Sequence, residues 1–305
     1  MFYGQFGEDK YMSQFFDKNY KGLCVDVGAS DGISGNNTYY FEINGWESLC
    51  IEPVPESYNK CNSLRKKTLN YCVSNYDKND IDFNVVRFHD NNVSAVSSLI
   101  LDERLIKSHE HLIQNIEKIP VKVKSLNTIF EKENMCKNID FISIDTENTE
   151  LDVLKGLDFN NYNVNFLIIE NNFDDYYIEQ YLSDKNFKKI VRIAVNDIYV
   201  NKNYLNLKIH NQFEIVQANY YISENEKLGN VTEIVNILAK KYTIFNNNNI
   251  IVSNDIFMDT FPNVEKKLFI KIKNIYTQKV YNYVFDEYKT LDFDLIFNNL
   301  KNELA

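Results

Sequence analysis

Between Gly22 and about Val200 the chain alternates short, almost continuously apolar runs with stretches of helical spacing. The apolar runs are Leu23–Val27, Ser48–Ile51, Leu69–Val73, Phe141–Ile144 and Phe166–Ile169. A strand that reads as one unbroken apolar run has both faces covered, the condition of a parallel sheet between two helical layers. Pro55–Lys67, Leu126–Asn134, Glu150–Leu157 and Tyr176–Lys185 carry spacing suited to those helices. The alternation predicts a doubly wound α/β fold, in which ligands sit at the carboxyl ends of the strands.

From about Asn203 the pattern changes to apolar and polar residues alternating around Asn- and Asp-rich turns, with no long helical stretch expected. This predicts a small antiparallel, sandwich-like β domain. After Lys273, Val280, Tyr283 and Val284, then Leu291, Leu295 and Ile296, predict one or two amphipathic helices. The expected organisation is an α/β domain over 1–202, a β domain over 203–275 and a helical segment over 276–305. No internal repeat is visible, and the Asn246–Asn249 run reads as a turn.

Of the 305 residues, 44% are hydrophobic, and 21 Tyr and 21 Phe stand against 9 Gly and 4 Pro, so the chain can build real cores and is not disordered. A net charge of −10 argues against nonspecific nucleic-acid binding, which needs a basic surface to displace counterions. No leader pattern is visible and no apolar run approaches the ~20 residues of a membrane span, so a soluble, cytoplasmic protein is expected. The five cysteines lack CxxC spacing, and Cys24, Cys50 and Cys72 read as small core residues. The N-x-S/T matches at Asn36, Asn92 and Asn230 carry no meaning without export.

The chemistry concentrates in "LCVDVGASDG" and in the Glu52-Pro53 pair that ends the second strand. Gly28 and Gly32 are spaced G-x-x-x-G rather than G-x-G-x-x-G, so close approach to a pyrophosphate is not specified. Adenosine without a diphosphate fits better. Asp26 and Gly28 permit a tight turn beside a ligand, and a carboxylate at Glu52 can accept hydrogen bonds from both ribose hydroxyls. Taken singly, Asp26 or Glu52 reads more readily as a solvated strand-end acid; together, in the order strand, Asp-x-Gly, helix, strand, Glu-Pro, they point to a bound ligand.

The blocks "YGQFGED" (Tyr3–Asp9), "VDVGASDG" with "NNT", "FEINGWESLCIEPVPESY", "CVSN", "NVSAVSSL", "FISIDTENTELDVLKGLDF" and "LIIEN" resemble, in order, those of the FkbM-type S-adenosylmethionine-dependent methyltransferases. The resemblance implies a class I methyltransferase fold with a Rossmann-like, mostly parallel sheet, S-adenosylmethionine as cofactor, and O-methylation of a sugar or other hydroxyl-bearing metabolite. The cofactor set is then Gln5, Phe6, Asp26, Gly28, Asp31, Asn37, Glu52 and Pro53. The arm bearing Gln5, Phe6 and Asp9 is expected to fold over the cofactor. Where relatives read I-D-x-E-G-x-E, Asn148 replaces the glycine, and asparagine tolerates a left-handed backbone.

Methyl transfer to a hydroxyl needs a group to remove its proton. Asp145 and Glu147, at the end of the fourth strand, are candidates for general base or acceptor positioning, and Glu170, with Asn171 and Asn172, for lining the acceptor pocket. Asp145 could instead cap the helix beginning near Thr149. His89 is a further candidate for reaching the site, whereas His109 and His111 are not spaced as a helical metal pair. Acid clusters raise a magnesium hypothesis, but Asp140, Asp145, Glu147 and Glu150 form no recognised ligand loop, so no metal is expected.

The segment "IIVSNDIFMDTFPNVEKKLFIKIK" resembles rhamnose- and galactose-binding lectin-like modules, with Asn254, Asp255 and Asp259 either contacting sugar hydroxyls or forming turns. Lys266 and Lys267 read as protection of a strand edge. The expected partner is a saccharide or glycoconjugate acceptor, with no nucleic acid and no membrane span expected and a homo-oligomer left open. The alternative is a catalytically inactive glycan-binding or scaffolding protein. A nicotinamide oxidoreductase conflicts with the missing third glycine.

Overall fold

A computed structural model describes residues 1–305 apart from 90–92, 94–95, 206–212, 224–225, 246–249, 259–263 and 303–305. The chain forms two compact units, one of residues 1–10 and 20–201 and the other of residues 11–19 and 202–305. Helix α1 (Glu8–Ser13) is shared between them.

The first unit continues with β1 (Leu23–Val27), α2 (Tyr39–Ile43), β2 (Glu47–Ile51), α3 (Pro55–Leu64), β3 (Thr68–Leu69), β4 (Cys72–Val73), β5 (Lys78–Phe88), α4 (Glu103–His109), β6 (Ile113–Lys124), α5 (Leu126–Lys132), β7 (Asn138–Ile144), α6 (Glu150–Lys155), β8 (Asn163–Glu170), α7 (Tyr176–Asp184), β9 (Phe187–Ile193) and β10 (Asn196–Asn201). A seven-stranded sheet runs β3-β2-β1-β7-β8-β10-β9, parallel from β3 to β8, with β10 antiparallel to both neighbours. It is the largely parallel, Rossmann-like sheet that the apolar runs predict.

Alternate residues of the central strands feed two cores. Val25, Val27, Ile142 and Ile144 pack with Ile129, Phe130, Val153 and Leu154 in one buried cluster. Phe141, in register with Cys24, points the other way and meets Phe41 with ring centroids 4.9 Å apart.

The expected strand over Leu69–Val73 is divided. Leu69 ends β3 in the large sheet, Asn70 donates its side-chain amide to the carbonyls of Glu52 and Pro53 (2.9 and 3.0 Å), and Cys72 begins β4 in a second sheet of order β4-β6-β5. Strands β5 and β6 of that sheet were not expected. They alternate polar and apolar residues: Phe83, Val85, Val121 and Val123 are buried in one cluster, and Val86, next to Val85, in another with Val96 and Leu105.

The loop after β1 is held from behind by Arg65, 5% exposed. Its guanidinium donates to Gly32 O (2.9 Å), Asn36 Oδ1 (3.1 Å), Thr38 Oγ1 (2.8 Å) and the buried carboxylate of Glu42 (3.1 Å). Ser48 also donates to Glu42. With its donors satisfied, this buried pair ties α2, α3 and the loop together.

The second unit contains α8 (Lys202–Leu205), β11 (Phe213–Ser223), β12 (Glu226–Asn230), α9 (Thr232–Phe245), α10 (Asn254–Phe257), β13 (Lys267–Asn274), β14 (Val280–Asp286) and α11 (Phe293–Asn302). Its strands form one antiparallel sheet, β12-β11-β13-β14. This corrects three expectations. The region expected to lack a long helix holds α9, whose Ile234, Val235, Ile237 and Leu238 are buried, so the described residues form one sheet with helices rather than a sandwich. Val280–Asp286, expected to be helical, is a strand in which Tyr281, Tyr283 and Phe285 alternate with more exposed residues. Lys266 is fully buried and donates to Val264 O (2.6 Å), and β13 is an interior strand, so neither fits edge protection; Lys267 pairs with Asp286 at 3.1 Å.

Asn254 accepts from Tyr220 Oη at 2.9 Å, a bond within the unit. Asp259 and its turn, the Asn246–Asn249 run and Asn92 lie outside the described residues. No helix among the described residues is long and apolar enough to cross a membrane.

Replacing Arg65 by Met strands the Glu42 carboxylate in a buried site, which costs on the order of 3–5 kcal/mol. Urea unfolding of Arg65→Met should show that loss, and a change below about 1 kcal/mol would mean that the network contributes little.

Candidate active site

The turn after β1 is built by close approach. Gly28 has φ +87°, and a Cβ there would lie 1.7 Å from the Asp145 carbonyl oxygen, so no other residue fits without moving β7. Gly28 N and Ala29 N both donate to Ile51 O (2.9 and 3.1 Å), which draws the turn onto the end of β2. Glu52 follows at once. Its Oε2 accepts from Ser30 N and its Oε1 from Val54 N, both at 2.9 Å. Each oxygen keeps a second lone pair. Burial pushes the Glu52 carboxyl up to about 8, although the two backbone N–H groups oppose the shift.

Glu52 lines a cleft that opens to solvent. Val27, Gly28 and Ser30 line it from the turn, Ile51, Pro53, Val54, Cys72, Val73 and Phe83 give it an apolar wall, and Asp145 and Glu147 an acidic edge. The mix of an apolar lining with a few polar groups is that of a small-molecule site.

The acidic edge depends on the turn joining β7 to α6. Glu147 and Asn148 both have positive φ, +57° and +74°. Asn148 thus adopts the left-handed conformation anticipated for it, and Glu147 shares it. Glu150 closes the turn from below: its Oε1 accepts from Thr146 N (2.8 Å), Thr146 Oγ1 (3.1 Å) and Asn148 N (3.1 Å). From the other side, Ser98 Oγ donates to the carbonyls of Thr146 (3.2 Å) and Glu147 (3.0 Å). Glu150, not Asp145, is the acid that bonds the backbone here, so the Asp145 carboxylate is available to the cleft.

Asp145, Glu147 and Glu170 can each place one carboxylate oxygen within 4.8 Å of the other two. Glu147 and Glu170 are each 7% exposed, and Glu170 Oε2 is buried with no hydrogen-bond partner. Burial raises Glu147, and the charges of Asp145 and Glu150 add to the rise. Burial raises Glu170 as well, with Asp145 the largest of the neighbouring charges; a proton on Glu170 allows a hydrogen bond to Asp145, which limits the rise that burial imposes there. Glu150 is raised to about 7 by burial, against its hydrogen bonds.

The other expected site residues divide between the cleft and its supports. Gly28, Glu52 and Pro53 line it. Asp26 is buried behind the loop, where it accepts from Thr38 Oγ1 at 2.7 Å; burial raises its carboxyl and Arg65 opposes that. Asp31 accepts from Ile33 N and Ser34 N, both 2.8 Å, and shapes the loop. Asn37 donates to Ser143 Oγ at 3.2 Å, leaving its Oδ1 buried and unbonded.

Gln5 and Phe6 are exposed and are not among the residues lining the cleft. Their arm is fastened by Asp9, which accepts from Tyr3 N, and by the fully buried Glu8, which accepts from Asn196 Nδ2. His89 is exposed and does not line the cleft, and Asp140 sits near the opposite end of β7, accepting from Leu23 N. Ser98 and Arg65 were not singled out; Arg65 is the one cation in its stretch of α3 and β3 with buried acids to meet.

A family model described as the methyltransferase FkbM domain matches residues 26–194. The chain belongs to the FkbM methyltransferase family. The FkbM span opens at Asp26 on β1 and closes just after β9, so it contains the glycine turn, Glu52, the acidic turn and Glu170. No curated protein matches the chain.

Glu52 and Glu150 bind more protons when folded than when unfolded, because their folded values lie above the ordinary range of about 4.3. Their stabilisation is complete below the unfolded value and is lost as pH rises through the folded one. The melting temperature of the unliganded FkbM protein should therefore fall between about pH 5 and 8. Glu52→Gln should flatten that slope, and a wild-type melting temperature that climbs over the same window would refute the assignment.

Proposed function

We propose that the chain is an S-adenosylmethionine-dependent O-methyltransferase acting on a hydroxyl of a saccharide or glycoconjugate. The observation that carries this reading is Glu52, buried at the foot of the cleft against the glycine turn, with one lone pair left on each oxygen. Those lone pairs suit two vicinal ribose hydroxyls. Ile51, Val54, Cys72, Val73 and Phe83 suit a flat adenine ring, and Asp145 and Glu147 suit the positive charge of the cofactor's methionine end. When bound, the sulfonium supplies a methyl carbon that passes to oxygen as the S–C bond breaks and its electron pair returns to sulfur.

The chain's own part is to align the acceptor and take its proton. Asp145 is suited to that role: it lines the cleft, bonds no backbone amide as a cap would, and is raised by burial toward the working pH. A site this rich in carboxylates repels anionic acceptors and offers hydrogen-bond acceptors to neutral hydroxyls, which supports a sugar over a phosphorylated or carboxylated compound.

Calorimetry with S-adenosylhomocysteine tests the cofactor, and a methyl mass shift on a panel of neutral saccharides tests the transfer. Glu52→Ala should weaken binding by about 10–100-fold, the loss of charge-assisted hydrogen bonds, with the circular dichroism unchanged. Asp145→Asn should keep cofactor binding and lower turnover by roughly 10²–10⁴-fold. Wild-type protein that takes up no S-adenosylhomocysteine would overturn the reading.

A further inference from the structure

Most buried carboxylates of the first unit have donors. Glu8 accepts from Asn196, Glu42 from Arg65, Glu52 and Glu150 from backbone N–H groups, Asp140 from Leu23 N and Asp197 from Arg192. Among the described residues no donor to the carboxylates of Glu147 and Glu170 is found. Each is 7% exposed, and Glu170 Oε2 is buried with no hydrogen-bond partner among the described residues. Both can bring an oxygen to within 4.8 Å of Asp145 and of each other, so the groups that lack donors are the ones gathered together.

We propose that Asp145, Glu147 and Glu170 bind a divalent, oxygen-seeking cation of the magnesium or manganese type at the acidic edge of the cleft. Three oxygens no more than 4.8 Å apart have a common centre no farther than about 2.8 Å from each, against roughly 2.0–2.6 Å in magnesium and calcium sites, so a small inward rotation of the side chains completes the contact. The donor set holds oxygen alone, without His or Cys, which favours magnesium or manganese over zinc or copper. Asp145 and Glu170 stand at the ends of the neighbouring strands β7 and β8, and Glu147 is fixed by the turn that Glu150 and Ser98 close, so the ligands are largely pre-positioned.

Asp145 and Glu147 line the cleft and Glu170 is not among its lining residues, so two of the three ligands are reached from it. The role of such an ion rests on the methyltransferase reading: it would hold the acceptor oxygen and make its hydroxyl more acidic, with the released proton taken by the Asp145 oxygen that does not bind the ion. Its existence does not rest on that reading. The same spacing by itself also fits a proton shared between Asp145 and Glu170.

Manganese binding to the full chain, followed by loss of the free-ion electron paramagnetic resonance signal, separates the two. One manganese should bind per chain without cofactor or acceptor and be displaced by excess magnesium. Glu170→Gln and Asp145→Asn should each weaken it by roughly tenfold or more, while the exposed control Asp82→Asn leaves it unchanged. Wild-type protein that leaves the free signal intact overturns the cation site and leaves the shared proton; binding that persists undiminished in both folded variants overturns it too. Calorimetry with S-adenosylhomocysteine on the same samples keeps the readings apart: cofactor uptake without manganese sinks only the cation, and manganese uptake without cofactor sinks only the methyl donor.

Discussion

The contact between Gly28 and the Asp145 carbonyl is the constraint on which the rest of the first unit depends. The chain turns so close to the end of β7 that a single added carbon would overlap it. That closeness, with Asp145 N bonded to Val27 O at 2.9 Å, sets the ends of β1 and β7 side by side. Glu52 then enters from β2 and grips the turn through Ser30 N. The glycine turn, the second-strand acid and the fourth-strand acid of the parallel order thereby share one cleft, the site expected at the carboxyl edge of a doubly wound sheet.

The price of that arrangement is a concentration of buried negative charge. Elsewhere in the unit the charge is answered within the protein, by Arg65 for Glu42 and by Arg192 and Lys189 for Asp197. At the cleft it is answered by backbone amides for Glu52 and Glu150, whereas Glu170 Oε2 has no hydrogen-bond partner among the described residues. Groups held this way favour protons or cations, since ionised carboxylates in low-dielectric surroundings repel one another and lack water to screen them. A cleft so lined is complementary to positive charge, and its supports are rigid strand ends and a braced turn.

The second unit lies outside the family match. The FkbM match ends at residue 194, before the four-stranded sheet begins at Phe213. Its sheet buries Leu268, Ile270 and Ile272 on one face, and Phe293 and Phe297 stack 5.8 Å apart along α11. Asn254, open to either a sugar contact or a turn role in the sequence, accepts from Tyr220 inside the unit.

Legibility followed burial. Leu23–Val27, Phe141–Ile144 and Phe166–Ile169 are covered on both faces, and a doubly covered strand must be apolar throughout, so the parallel part of the large sheet and the Glu52 position could be read directly; β9 and β10 were not, since β10 is buried yet carries Asn196, Asp197 and Asn201. Asn148 was likewise readable, because few residues tolerate its backbone conformation. Strands β5 and β6, helix α9 and strand β14 were harder: each is half exposed or masked by polar neighbours, and residues spaced three and four apart suit a helix until alternation along a strand outweighs them. Residue types and local periodicity by themselves determined the fold class and the motif positions. Which acid caps, which braces and which stands free was decided only by tertiary structure, because Asp26, Asp145, Glu147, Glu150 and Glu170 are alike as carboxylates and differ only in the donors that folding brings to them.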